Sequence, residues 1–424
     1  LEVNDLTPDF RPAISTAKAA TAAAAVVAFL IAFGLRYVCT GESFWVDELH
    51  TAWSIADAWN DVAPRSAAGN QSSLYFQFMW IYQAVLTQPW IPRAIGDLPI
   101  EPLLRSSSVW LTSIACGWSV IVMTRLTGNV AAGLFAALAL AVETNSIFFG
   151  TELRPYAAIM LLTVIVADLS VIAWQRQAST WPRLAIHGVV LIAFWIHLTS
   201  WVTLGWLLIV MGLSDWVRGQ HQRMVGITAV GWFAVLAWRS FNQSSLWESR
   251  SNWQAFAGVN SWSDLLSLWP WFSLIVVPLV ATVLFNAGSF WMPKVARNRM
   301  AAQIVERIAE RWTAWPIASV WGLALIVSTL GCFVAADLQW VSLWHRRYLI
   351  AGLPLLTLAF GVLVAAARGG RDSTNWRSMA VGLAGVTALM MSQGTLQAMS
   401  RGDWTWVRRG EDWRGAMAWV AKHC

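Results

Sequence analysis

Charge is scarce in this sequence: Asp, Glu, Lys and Arg together make up 12% of its 424 residues, about half the share usual in a soluble domain. A chain so poor in charge and 57% hydrophobic cannot cover itself with solvated side chains, which excludes an ordinary water-soluble enzyme. Cysteine is also sparse. The four present, Cys39, Cys116, Cys332 and Cys424, show no Cys-x-x-Cys spacing, which argues against a disulfide framework and a metal cluster. Within the apolar runs charge almost vanishes, and the exceptions Glu143 and Asp168 lie toward run ends. The pattern therefore lacks the mid-membrane ion relay that a pump or coupled transporter needs. A net charge of +6 does not point to nucleic acid, because the basic residues sit in short loops where membrane topology places them.

What is present is a succession of long apolar runs. About 18 residues suffice to cross a hydrocarbon core of about 30 Å, and the sequence reads as eleven spans, at 17–38, 103–124, 129–149, 155–174, 184–198, 199–213, 224–240, 272–291, 315–335, 348–367 and 378–397. The expected fold class is an all-α polytopic membrane protein, one transmembrane domain over 1–424 without a separate soluble domain. The run 74–87 is about 21 Å long as a helix and contains Gln77 and Gln83, so it reads as an interfacial helix and not a crossing. The run 184–213, about 45 Å as one helix, has Arg176 and Arg183 before it and Arg218 and Arg223 after it. Basic residues at both ends favour two crossings with a turn near His197 and Thr199. The 31 tryptophans cluster near run ends and in loops, where an amphipathic ring anchors at headgroup level.

Residues 1–16 are polar, with Arg11 and Lys18 flanking the first run, which predicts a span entered from the cytoplasm and not a signal peptide. Eleven spans place Arg125, Arg176 with Arg183, Arg218 with Arg223, Lys294 to Arg311 and Arg368 to Arg377 on one side. That side is cytoplasmic by the positive-inside rule. Residues 293–313 are basic and amphipathic, either an inner-surface helix on anionic lipid or a solvated linker. The outer side receives the first loop 39–102 with its interfacial helices, the turn at 150–154, the His197 turn, the amphipathic segment 241–271, residues 336–347 and the tail 398–424. The expected location is the cytoplasmic (inner) membrane, with the polar chemistry facing outside or the periplasm.

Those outer segments set acids beside arginines at the membrane boundary: Asp47 and Glu48 in "GESFWVDELH", Arg105, Glu152 with Arg154 in "GTELRPYA", and His345, Arg346, Arg347 and Tyr348 in "WHRRYLIAGLPLL". Arginines opening a span on the side that disfavours positive charge suggest an anionic partner at headgroup level. Snorkelling to lipid phosphates is the plainer alternative. A carboxylate able to act as base, next to guanidinium groups able to hold a phosphate, suits group transfer from a lipid-linked phosphate. A glycosyl phosphate has a leaving group that needs cations more than a general acid. One carboxylate base then suffices for inversion in a single displacement, without the second carboxylate of glycoside hydrolysis.

Taken in order over nearly the whole chain, "FWVDELHTAWSI", "NQSSLYFQFMW", "EPLLRSSSVW", "FFGTELRPYAAIMLL", "FWIHLTSW" and "RRYLIAGLPLL" resemble the GT-C glycosyltransferase superfamily. The likeness is to bacterial relatives of dolichyl-phosphate-mannose protein mannosyltransferases and of the lipid A aminoarabinose transferase. Each motif alone is weak; the ordered set carries the resemblance. It implies a GT-C fold and a polyprenyl-phosphate-linked sugar donor, with a lipid, glycan or protein acceptor. It also implies Asp47 as catalytic base and Glu152 as the acidic residue of a second catalytic motif, followed by Arg154 and Tyr156. Arg347, Tyr348, Leu349 and Pro354 match the segment near the lipid phosphate, and His197 stands where many relatives carry a His in a short outer turn. Glu48, Arg105, His345 and Arg346 complete the expected substrate- and phosphate-binding set. Relatives often read "HPPLYY" where this chain has "NQSSLYF", which changes the turn at Asn70 to Ser73 and the acceptor or sugar pocket with it. The tail "GEDWRGAMAWVAKHC" resembles the start of an outer soluble domain in longer relatives.

Simpler roles stand beside these. Asp47 and Glu48 suit the first turn of a helix beginning near Leu49, Glu152 with Arg154 suits an interfacial ion pair, and His197 suits an ordinary turn histidine. No cofactor is expected to be required. Asp47, Glu48 and Glu152 are ligand types for a hard divalent cation on the phosphate, but Arg154, Arg346 and Arg347 make one unnecessary. Two other function classes fit the outer arginines: a transporter or flippase for a lipid-linked sugar, which calls for mid-membrane polar sites or paired broken helices, and a non-catalytic membrane subunit or a ligase or polymerase joining lipid-linked glycans.

Overall fold

The computed structural model describes residues 11–69, 71–88, 99–176, 179–218, 223–241, 257–287, 315–367, 376–408 and 410–423. The basic stretch 293–313, Asn70 and residues 242–256 of the segment 241–271 lie outside them. Every regular element among the described residues is helical. In chain order these are α1 (Arg11–Tyr37), α2 (Val46–Ile55), α3 (Trp59–Ala68), α4 (Ser73–Leu86), α5 (Ile100–Thr127), α6 (Val130–Val142), α7 (Thr144–Gly150), α8 (Tyr156–Gln175) and α9 (Trp181–Ile196). They continue as α10 (Ser200–Val217), α11 (Arg223–Phe241), α12 (Ser263–Ser267), α13 (Val277–Ala287, entered through a π-helical turn at Phe272–Val276), α14 (Trp315–Asp337), α15 (Gly352–Ala366), α16 (Trp376–Ser392), α17 (Thr395–Ser400) and α18 (Trp413–His423).

Five of these, α1, α5, α8, α10 and α14, are long and apolar enough to cross a membrane, and α6 with α7 makes a sixth if the bent pair is one span. α9, α15, the middle of α11, and α13 with its π turn are shorter apolar helices. The chain is built as a multi-pass α-helical membrane protein. The run 184–213 is divided as the flanking arginines require, α9 ending at Ile196 and α10 beginning at Ser200.

The run 129–149, read above as one span, is broken at Glu143, and α7 turns 66° away from α6. Buried polar side chains account for the break. A helix end leaves orphan amides and carbonyls that must find partners away from water. Glu143 accepts from the Ser146 amide (2.6 Å) and so caps α7. Arg36, at the end of α1, donates to the Leu140 and Ala141 carbonyls that finish α6 (3.2 Å each) and to Ser146 Oγ (2.7 Å). Gln393 donates to Glu143 Oε1 (2.8 Å) and accepts from the Thr144 amide (3.0 Å). Two other runs differ at their ends. Residues 345–351 are turns leading into α15, and 378–397 stops at Ser392 because Gly394, at a left-handed φ of 72°, redirects the chain into α17.

α5 runs through the centre, packed on α1, α6 and α8. Its approach to α6 depends on Gly133, where a Cβ would sit 2.7 Å from the Val120 carbonyl oxygen. A smaller core of Phe44, Ile55, Val62, Tyr75, Phe76, Met79, Leu104 and Leu153 fastens α2, α3 and α4 onto the head of α5 and the loop before α8. The tail returns to the same end, where Arg414 pairs with Glu101 (2.5 Å) and its amide donates to Ser43 Oγ (2.9 Å). At the opposite end Arg125 pairs with Asp168, and Arg183 pairs with Asp215 (2.8 Å).

Candidate active site

The chain leaves α1, passes through an extended Trp45 and enters α2 with Asp47 and Glu48 in its first turn. Successive helical residues point about 100° apart, so the two acids meet different surroundings. Glu48 and Arg105, both expected to bind substrate, are fully buried against each other. Arg105 Nε donates to Glu48 Oε1 (2.8 Å) and its Nη2 to Glu48 Oε2. Its other N–H groups reach the carbonyls of Thr40 (2.8 Å), Glu42 (2.5 Å) and Ser43 (3.0 Å). An arginine has five donors, and all are taken. Glu48 further accepts from the amides of Leu153 (2.7 Å) and Trp45 (3.3 Å). The pair is a brace holding the first loop, α5 and the loop before α8 together.

Asp47 has the opposite character: its side chain is 32% exposed and lies between two guanidinium groups. Its Oδ2 is 3.5 Å from Arg347 Nη1 and 4.0 Å from Arg154 Nη2. Arg154 also donates to the Asp47 carbonyl (3.3 Å) and lies 3.5 Å from Thr51 Oγ1. Arg347 donates to the Tyr348 hydroxyl (3.0 Å) and stacks over its ring at 4.9 Å. Comparison with protein-family models, curated proteins and solved structures gives no match to this chain.

Around this triad the groups are strongly biased. Burial works against the charge on Arg154, yet Tyr156, Asp47 and Glu152 together raise its pKa. Arg347 is raised in the same way, burial being outweighed by Tyr156, Tyr348 and Asp47. Both guanidinium groups stay charged. Tyr156 is buried at the head of α8 and meets His197 edge to face, with ring centroids 5.2 Å apart. His197 shares a hydrogen bond with Thr199 Oγ1 (2.8 Å). Burial, then Arg154 and Arg347, push its pKa down to about 3, so it is neutral. His345 is pushed down to about 4 by burial, then Arg347 and Arg346, and accepts from the Arg347 amide (3.2 Å).

Of the remaining expected residues, Glu152 is fully buried in the turn that carries Arg154, its carbonyl accepting from Ser108 Oγ (2.5 Å). Arg346 turns away from Asp47. It donates to Asn145 Oδ1 (3.0 Å) and the Ser267 carbonyl (2.9 Å), tying the 345–348 turn to α7 and α12 instead of reaching the site. The structure thus gathers Asp47, Arg154, Tyr156, His197, Arg347 and Tyr348 with Glu152 and His345 alongside, and assigns Glu48, Arg105 and Arg346 to support. Thr51 and Tyr75 also belong to the neighbourhood and were not singled out by the sequence. Tyr75 is buried, and burial raises its phenol pKa while Arg154 opposes it. Its signal was its place in "NQSSLYF". Among the described residues no group of three or more His, Cys, Asp or Glu is placed to hold a metal ion.

The neutral histidines make stability depend on pH. An unfolded His197 takes up a proton near pH 6.5, whereas in the fold it remains neutral down to about pH 3. Between those values the unfolded chain binds the extra proton, so stability falls as pH falls, by about 1.4 kcal/mol per unit. His345 acts in the same direction over a shorter window. Thermal unfolding in detergent from pH 6.5 to 4 is expected to show this loss, and His197→Asn to reduce its slope. An identical slope in the variant would mean that His197 is not held neutral.

Proposed function

We propose that this protein is a GT-C-type membrane glycosyltransferase that moves a sugar, with inversion, from a polyprenyl-phosphate donor to an acceptor hydroxyl at the outer face of the cytoplasmic membrane. The observation that carries the reading is the Asp47 carboxylate, partly open to solvent, set between the guanidinium groups of Arg154 and Arg347. On this reading the eleven apolar segments all cross, and α2 to α4 lie along the outer boundary. A phosphate entering beside Asp47 engages Arg154 and Arg347, and Asp47 is left to accept a proton. Asp47 takes the proton of the acceptor hydroxyl as its oxygen bonds to C1 of the sugar from the face opposite the phosphate. The C1–O bond breaks, its electron pair passes to the phosphate, and the two arginines hold the departing polyprenyl phosphate. No divalent cation is required.

A flippase would use broken helices to bind its cargo, and the break at Glu143 is such a feature. Its polar groups, however, are bonded to one another through Arg36, Ser146 and Gln393. The deciding experiment supplies the purified protein with short-chain polyprenyl-phosphate sugars and candidate acceptors, then follows phosphate-lipid release and the anomeric configuration of the product by NMR. Release with an inverted product is expected. Retained configuration, turnover of diphosphate donors alone, or movement of intact donor across vesicles without cleavage would each overturn the reading.

A further inference from the structure

Among the described residues, many buried hydroxyls on helices bond back to a carbonyl three or four residues earlier, as Thr112, Ser113, Ser119, Thr163 and Thr357 do. That is the default for a hydroxyl with no better partner in an apolar setting. Ser200 and Thr203 break the pattern. They are 2% and 1% exposed, and neither side-chain oxygen has a hydrogen-bond partner. A hydroxyl buried in this way destabilises the empty protein, so two of them together call for a reason.

Their position supplies one. They are the first and fourth residues of α10, an 18-residue helix, and residues three apart share a face. Both side chains therefore lie on one face of the first turn, at the helix head. That head carries the positive end of the helix dipole. Its first amides close onto the preceding turn, Ser200 N on the His197 carbonyl (3.0 Å) and Val202 N on that of Thr199 (3.1 Å). The donors left to offer are the hydroxyls. The same turn carries His197, which packs on Tyr156 and lies within electrostatic reach of Arg154 and Arg347.

We infer that the head of α10 is a phosphate-binding site, in which Ser200 and Thr203 donate to the oxygens of a phosphate whose charge Arg154 and Arg347 share. This rests on the donor reading above and adds two residues to it. The test compares the full-length wild type with a Ser200→Ala, Thr203→Val double variant in detergent, using short-chain polyprenyl phosphate, inorganic phosphate and phosphatidylglycerol as probes. The unliganded variant is expected to melt at or above the wild-type temperature, because an unpartnered hydroxyl has been removed. It is also expected to bind polyprenyl phosphate about tenfold or more weakly. Inorganic phosphate that protects the wild type and not the variant would identify a free phosphate as the ligand, and phosphatidylglycerol doing so would identify a lipid headgroup. Equal affinity of variant and wild type for polyprenyl phosphate would overturn the site. A wild type that does not bind polyprenyl phosphate at all would instead sink the donor reading. If the double variant misfolds, Ser200→Ala alone carries the same comparison.

Discussion

Under the proposed function, Asp47→Asn is expected to lower sugar transfer by about 10²- to 10⁴-fold, the range lost when a positioned general base is removed, in a protein that still folds and binds donor. The amide keeps the shape of the carboxylate and cannot take the acceptor's proton. It also ends the competition for the guanidinium groups of Arg347 at 3.5 Å and Arg154 at 4.0 Å. A donor phosphate then has both arginines to itself, so its affinity is expected to hold or rise while turnover collapses. This split between binding and rate separates a base from a residue that merely shapes the site. Asp57 and Asp61 lie on the same loop, paired with Arg65 and partly exposed, and their Asn variants should transfer normally. Wild-type turnover by Asp47→Asn would remove it from the base role.

The largest effect on stability is expected at the Glu48–Arg105 brace. Arg105→Met leaves a carboxylate fully buried without its cation, and breaking such a pair from one side costs about 3–5 kcal/mol. The double variant Glu48→Gln, Arg105→Met removes both charges and should recover much of that loss. Unfolding in detergent, arranged as a double-mutant cycle, measures the coupling. The single variant should also lose transfer activity, because Glu48 holds the Leu153 amide (2.7 Å) and so places Arg154 one residue on. A single variant as stable as the wild type would show that the brace contributes little.

The helices were largely legible because an apolar run declares itself wherever it lies, and the division near His197 followed from the arginines on both flanks. Asp47, Arg154 and Arg347 were legible as charges in the short segments between apolar runs. Which of two neighbours stays open and which is buried was not. Asp47 and Glu48 differ only in helical phase, and the difference becomes visible once Arg105 claims Glu48. Arg346 and Arg347 are likewise interchangeable in sequence, yet one reaches Asn145 and Ser267 while the other reaches Asp47. The break at Glu143 was hidden because hydrophobicity continues across it, and its cause, Arg36, is more than a hundred residues away in the chain. Ser200 and Thr203 looked like ordinary span residues, since a hydroxyl that bonds its own helix and one that does not are written with the same letter.

The bend at Glu143 makes α7 a lever. Its seven residues form an arm about 10 Å long, and the turn carrying Arg154 hangs from its far end. A rotation of about 10° at the fulcrum would swing that tip by about 2 Å, and a misplacement of about 1 Å is enough to cost an enzyme about 100-fold. On the proposed function, the hydrogen bonds of Arg36, Glu143 and Gln393 that fix the bend therefore hold the aim of Arg154 from a distance.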